Sequence, residues 1–352
     1  MTDDLRPALT GISVDLPGGG DLDRLWTAAS TPLNGDLDFT RQKTAALERV
    51  VDDALSRARL DHDPDSPPTV LLCTQAAIPD TGTSPFFQGP PAGGLDTRLG
   101  RLPVMALSHA CATGGFAIDL ASSLIRADPG RPVVVAGASL PDPGETLSME
   151  AVGALTGDRV RPFDRRRSGI AIGRGAAALS LEAVSSARAR RAPVRAVIGG
   201  SAVRAARGKT DTDQACARSV IDEALAGART VDAVCAHATG TVVGDRAEFE
   251  VLRSYAADHR RDGLPVYSVK GAVGHLLHTS ALVGAAHAVL ALERSAIPAT
   301  EGCDEPFAND PHLRVTTAEE QRPLRRLLVN AFGFGGNYAS FTVERPDLLE
   351  NP

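Results

Sequence analysis

The sequence predicts a layered α/β fold with largely buried sheets, and three observations carry that reading. Strand-like and helix-like segments alternate along both halves of the 352-residue chain. Its apolar strand runs are continuous rather than alternating, as in strands covered on both faces. Aromatic residues are only 4% of the chain, so a core within the 43% apolar fraction is left to Ala, Val, Leu and Ile. A chain of this length buries a substantial core, as one large domain or two fused halves.

The elements follow in order. "ALTGISVDLPGG" opens as a short strand closed by a Gly-rich turn, and "TRQKTAALERVVDDALSRARL" continues with apolar residues at helical spacing. "TVLLCTQ" is a strand of the buried type, followed by "PDTGTSPFFQGPPAGGLDTRLG", a Gly- and Pro-rich loop. "ATGGFAIDLASSLIRAD" is a helix, and "RPVVVAGAS" and "GRGAAALSLE" are strands. In the second half "APVRAVIGGSAV" is a strand, "DQACARSVIDEALAGA" a helix and "VDAVCAHATGT" a strand ending in polar residues. "LPVYSVKG" is a short strand, "LVGAAHAVLALERS" a helix, and "RRLLVNAFGFGGNYASFTVE" two strands joined by glycines. Charge and proline interrupt the pattern at "SSARARRAP", residues 185–193, which divides the chain into 1–187 and 188–352.

Composition narrows the function. A formal charge of −6 argues against a whole-surface nucleic-acid or membrane role. No apolar run approaches the length of a membrane span, and "MTDDLRPALTG" is acidic where a signal peptide is basic and then apolar. The five cysteines, Cys73, Cys111, Cys216, Cys235 and Cys303, are odd in number and show no CxxC spacing. That sets aside a metal cage and a disulfide scaffold, and a reducing cytoplasmic setting is expected.

Four stretches carry chemistry. In "LSHACATGGFAIDLASS" Cys111 stands just ahead of a helix, where partial positive charge favours thiolate, among small residues that let a substrate approach. A buried cysteine before a helix is more often a small hydrophobe. "AHATGTVVGD" puts His237 at a strand C-terminus with Thr239 and Thr241 behind it, where ligands meet α/β sheets. "SVKGAVGHLLH" sets Lys270 five residues before His275 with small residues between. "FGFGG", residues 332–336, offers backbone N–H groups suited to an oxyanion hole, without the strand–GxGxxG–helix context of a dinucleotide site. Taken singly, the last three also read as a turn histidine, an exposed lysine beside a satisfied histidine, and a glycine hairpin.

Together and in this order, the four motifs resemble the β-ketoacyl synthase (ketosynthase) family of elongating condensing enzymes, within the thiolase superfamily. "PFDRRRSGIAIGRGA", residues 162–176, is similar to the family's segment between nucleophile and first histidine. The resemblance implies a five-layer αβαβα fold of two related halves, usually dimeric, with no dissociable cofactor and no metal. It implies that Cys111 takes an acyl group from the phosphopantetheine of an acyl carrier protein. His237 and His275 would then promote decarboxylation of a malonyl-type extender, with Lys270 in electrostatic support. The N–H groups of Cys111 and Phe334 would form the oxyanion hole. Thr239, Thr241, Phe332, Gly333 and Gly335 would hold the pantetheine arm.

The sequence also departs from the family pattern. Ala238 replaces a glycine, Arg174 a glutamate, "GGNYA" the usual "GGTNA", and His278 a small residue; the region from Thr74 to Arg101 is short. These departures keep two other readings open: acyl transfer without condensation, and a non-catalytic partner resembling a chain-length factor, whether the dimer is homo- or heteromeric. An acidic carrier protein needs a local basic patch on this acidic chain. Arg159, Arg161, Arg165, Arg166 and Arg167 form one candidate, and Arg204, Arg207 and Lys209 the other.

Overall fold

The computed structural model describes residues 3–17, 25–26, 39–60, 67–75, 102–140, 143–157, 159–206, 213–226 and 230–349. The first half runs β1 (Pro7–Asp15), α1 (Phe39–Arg57), β2 (Thr69–Cys73), β3 (Val104–Leu107), α2 (Thr113–Ala127), β4 (Val133–Ser139), α3 (Pro143–Ala151), β5 (Gly175–Ala183) and the short α4 (Val184–Ala189). The second half runs β6 (Ala196–Ala205), α5 (Gln214–Ala224), β7 (Ala233–Cys235), α6 (Val242–Asp258), β8 (Leu264–Tyr267), the single turn α7 (Lys270–Val273) and α8 (Ser280–Arg294). It ends with β9 (Ala296–Ile297), β10 (Leu313–Val315), β11 (Glu320–Gln321), β12 (Arg326–Gly333) and β13 (Asn337–Glu344).

The halves share one topology. With β9, β10 and β11 set aside as an insertion after α8, the strands of each half lie in the order third, second, fourth, fifth, first. Directions match as well. The first strand is antiparallel to the fifth and the fifth to the fourth, while the fourth, second and third are parallel. The half-sheets meet through two residue pairs, Ala8 with Val197 and Leu9 with Ala196, in one sheet of eleven strands.

Burial explains the layering. β4 and β5 are buried along their whole length, as the unbroken runs VVVAGAS and GAAALSLEA require. α8 is buried on every side from Ser280 to Leu292, so it lies inside the molecule beside α2. One core cluster joins α2 and α8 to the inner faces of both half-sheets. A second packs α1 on the outer face of the first half-sheet, and a third packs α5 and α6 on the second. The resulting αβαβα stack is the predicted fold.

Small residues set how closely the middle layer packs. A Cβ at Gly114 would lie 2.9 Å from the Ala281 Cβ, and one at Gly115 would lie 2.4 Å from the Ala339 Cβ. α2 therefore approaches α8 and β13 nearer than any side chain would permit. The 76–101 part of the shortened Thr74–Arg101 region lies outside the described residues. Among the described residues no helix is long and apolar enough to cross a membrane.

Candidate active site

The two middle helices begin alike. α2 and α8 are each 15 residues long, and each is preceded by a non-glycine residue with positive φ, Ala110 (50°) and Leu277 (45°). Cys111 follows Ala110, and His278 follows Leu277. The topological repeat thus places the nucleophile candidate and His278 in equivalent positions at the ends of the paired helices.

Cys111 is buried, and its Sγ lies 3.1 Å from Nε2 of His275. The other imidazole nitrogen, Nδ1, lies 2.9 Å from the Ser280 hydroxyl at the first residue of α8. His237 crosses His275 edge-on, with ring centroids 5.4 Å apart, and its Nδ1 has no hydrogen-bond partner among the described residues. Lys270 is buried and donates its ammonium to the His237 carbonyl. The structure therefore brings Cys111, His237, His275 and Lys270, the set that the family resemblance implies, into one cluster.

Burial overturns one expectation. The Cys111 thiol is not ionised by its helix terminus; burial pushes it up to about 12, outweighing the lowering effects of Lys270 and of its own backbone hydrogen bond. The helix begins only at Thr113, two residues beyond the sulfur, so its dipole acts at a distance. Burial, with Lys270 nearby, holds both His237 and His275 well below the usual histidine range. The resting pair is a neutral thiol against a neutral imidazole.

Two buried carboxylates shape the His237 loop. Glu248 accepts the N–H groups of His237 (2.8 Å) and Ala238 (2.7 Å) and the Asn330 amide (2.9 Å). Asp245 accepts the N–H groups of Thr239 (2.9 Å), Gly240 (3.0 Å) and Phe163 (2.7 Å). Burial pushes Asp245 up to about 7 against the bonds from Phe163 and Gly240. Both acids fall in the first turns of α6, three residues apart and so on one face. That spacing was visible in "GDRAE", although no role for it followed from the sequence. Ser280 and Asn330 gave no such signal.

Ala238 costs no backbone strain, because the positive φ in this loop belongs to Gly240 (83°). Arg174 turns to α1 and donates to the Gln42 amide oxygen at 2.7 Å. The added phenol of Tyr338 accepts the Asp213 N–H at 2.6 Å, and Asn337 donates to the Phe334 carbonyl at 2.9 Å. A Cβ at Gly333 would lie 3.0 Å from the Ala112 nitrogen and 3.1 Å from that of Cys111. Only glycine lets the end of β12 pass so close to the nucleophile.

A cavity of about 390 Å³ opens from Cys111 to the surface. His237, His275, Thr239, Thr241, Phe332, Gly333 and Phe334 line it, with exposed Val242 and Val243 at its mouth. Gly336 rather than Gly335 joins Gly333 in this wall, and Lys270 does not line it. Among the described residues, the arginines of both stretches are partnered. Arg159 and Arg166 converge on Asp304 at 2.9 and 2.5 Å, with Arg161 at 4.0 Å, and Arg165 pairs with Glu305 at 3.0 Å. Arg167 stacks on Phe307 and donates to the Val242 carbonyl, and Arg204 pairs with Glu223. These arginines tie residues 159–167 to 301–307 and β6 to α5. Arg207 and Lys209 lie outside the described residues.

Residues 101–187 match the model of the β-ketoacyl synthase N-terminal domain, and 195–304 match that of the C-terminal domain. Erythronolide synthase of Saccharopolyspora erythraea is 34% identical over 273 residues, covering 71% of this chain and 8% of that protein. The chain spans a tenth or less of such curated relatives. A β-ketoacyl synthase from Burkholderia phymatum superposes with a TM-score of 0.81 at 22% identity, over 97% of this chain and 99% of that one. A ketosynthase solved in complex with its type II polyketide acyl-carrier protein gives 0.79 at 21% identity, over 97% and 99%. With both domain models matched in order across more than half its length, the chain belongs to the β-ketoacyl synthase family of acyl-transferring condensing enzymes.

Proposed function

We propose that this chain performs decarboxylative Claisen condensation on carrier-protein thioesters in polyketide-type biosynthesis, with Cys111 as acyl acceptor. The 3.1 Å contact between Cys111 and His275 carries the reading. The thiol proton passes to Nε2 of His275 as sulfur attacks the incoming thioester carbonyl. The N–H groups of Cys111 and Phe334 hold the oxyanion. The bond to pantetheine sulfur then breaks, and that thiolate takes the proton. In the second half-reaction the carboxylate of a malonyl-type extender leaves as carbon dioxide. Its electron pair forms an enolate, whose oxygen accepts hydrogen bonds from His237 and His275. The enolate carbon attacks the acyl carbonyl, a carbon–carbon bond forms, and the Cys111 sulfur leaves. Ser280 both donates and accepts, so it serves either tautomer of His275. A chain-length-factor-like subunit would need no such nucleophile–base pair.

The partner is an acyl carrier protein, its arm entering past Thr239, Thr241 and Phe334. The paired arginines brace the rim, so docking draws on exposed Val242 and Val243 as much as on Arg165. The assembly is a dimer with a second ketosynthase-like subunit. β3 supports this: it ends the sheet, and Val104 and Met105 are 45% and 48% exposed on it.

Intact-mass analysis after incubation with acyl-carrier thioesters tests the first step, and addition of malonyl carrier protein tests the second. Acyl-Cys111 followed by carbon dioxide and a ketide product is expected. Acylation without carbon dioxide would leave acyl transfer alone, and no acylation would leave the non-catalytic partner.

A further inference from the structure

The two N–H groups assigned to the oxyanion come from separate parts of the chain. That of Cys111 belongs to the turn before α2, and that of Phe334 to the turn between β12 and β13. Such donors work only if they already hold their places before charge develops. The second turn is poorly able to fix itself. Phe334 has a glycine on either side, and Gly335 and Gly336 both take a φ of 79°, a region that glycine enters and leaves freely.

The first turn is fastened from within. Thr113 accepts the His109 N–H at 2.8 Å and donates its hydroxyl to the Ala110 carbonyl at 2.6 Å. These bonds hold Ala110 at its positive φ of 50°. The His109 ring lies flat on Phe116 of α2, with centroids 3.9 Å apart and planes 9° from parallel. His109 is therefore a fixed point two residues before the nucleophile.

One side chain joins the two turns. Asn337, the first residue of β13, donates its amide to the Phe334 carbonyl at 2.9 Å. That carbonyl only accepts, so the amide nitrogen faces it and the amide oxygen points elsewhere. The oxygen lies 3.4 Å from Nδ1 of His109, which therefore carries a hydrogen and donates. It is the departure "GGNYA" that puts an amide at this position. Beside it the backbones nearly touch, since a Cβ at Gly333 would lie 3.0 Å from the His109 carbonyl oxygen. Glycine thus sets how near the turns come, and the hydrogen-bond chain sets how Phe334 is turned.

We propose that His109 and Asn337 are positioning residues that aim the Phe334 N–H at the oxyanion. This rests on the acyl-enzyme reading above. Neither residue lines the cavity at Cys111, so both act through the Phe334 backbone and not on the substrate. Their effect falls on the transition state, where the negative oxygen forms, and leaves thioester binding alone.

The test follows acylation of Cys111 by intact mass at rising concentrations of an N-acetylcysteamine acyl thioester. Asn337→Ala should lower the maximal rate about tenfold, less than the loss of a whole donor, with half-saturation unchanged. Asn337→Asp keeps the shape but cannot donate to the carbonyl, and reports the same loss if the alanine variant does not fold. His109→Phe keeps the ring stack and removes the donor, so it should be slow. His109→Asn gives up the ring but keeps a nitrogen donor in place of Nδ1, so it should stay near the wild-type rate. Alkylation of Cys111 by iodoacetamide builds no oxyanion and should proceed equally in every variant. Wild-type acylation in the folded Asn337 variants would overturn the proposal. So would a fast His109→Phe beside a slow His109→Asn, since the stack and not the hydrogen bond would then matter. A raised half-saturation at unchanged maximal rate, or alkylation slowed as much as acylation, would overturn it as well. No acylation of the unaltered protein, with alkylation intact, would sink the acyl-enzyme reading and this one with it.

Discussion

Nε2 of His275 lies 3.1 Å from the Cys111 sulfur, and its Nδ1 lies 2.9 Å from the Ser280 hydroxyl. Because the thiol is neutral, it needs this imidazole to lose its proton. His275→Ala should therefore slow acylation of Cys111 by about 10²–10⁴. His237, which does not touch the sulfur, should be dispensable for loading. His237→Ala should still acylate but lose about 10²–10³ in carbon dioxide release from the malonyl carrier. Single-turnover mass spectrometry separates the two steps, and equal losses of loading in both variants would refute this division.

Asp245 is expected to matter through the loop it holds. Asp245→Ala strands the N–H groups of Phe163, Thr239 and Gly240, at about 1–3 kcal/mol for each that stays dry. Chemical denaturation should show a loss of several such units, and KM for the carrier thioester should rise. Unchanged stability would mean that water enters and replaces the carboxylate.

His287 gives a clean pH signature away from the nucleophile. It stacks between Trp26 and Tyr267, at 4.9 and 5.5 Å, and burial pushes it down to about 3 from an ordinary 6.5. Between these values the unfolded chain holds the extra proton, so stability falls as the pH drops from 6.5 toward 3. Above 6.5 the contribution is fully present. His287→Leu should flatten the acid limb of a Tm-against-pH curve, and an unaltered slope would show that the ring is already solvated.

Gly115→Ala should cost about 1–3 kcal/mol, because its Cβ would sit 2.4 Å from that of Ala339. Any relief moves α2, and Cys111 with it. Activity should then fall further than stability, as urea titration and product formation would show together. A loss confined to stability would place the strain in β13.

Charge on the outermost strand tests assembly. Met105→Lys should turn a dimer into a monomer on size-exclusion chromatography with light scattering, since β3 would no longer offer an apolar edge. A monomeric wild type would remove the basis for that interface.

Most of the fold was legible because buried strands such as VVVAGAS and the all-round apolar α8 announce themselves by composition. β3 was missed: four half-exposed residues between a Gly-rich loop and the nucleophile motif carry little period. α6 was missed because Asp245 and Glu248, which answer the N–H groups of a loop, interrupt the apolar pattern at the start of its buried face. Among the site residues, Cys111, His237 and His275 were readable from motif order. Their protonation was not, since a helix terminus shows in the sequence and burial does not. The pairing of the arginines was hidden for a similar reason: Arg159 and Arg166 find Asp304 about 140 positions away.

β1 lies at the centre of the sheet, between β5 and β6, although it comes first in the chain. Its partner residues run from Ala176 to Ala183 on one side and begin at Ala196 on the other. Once made, β1 must wait for about 170 further residues before its ladder with β5 can form. Loops of that span close late and make for slow folding. During synthesis this apolar strand is an unpaired edge, and the cell's chaperones are the natural place for it to wait. Expression yield should thus depend on translation rate and chaperone supply more than on the stability of the finished enzyme.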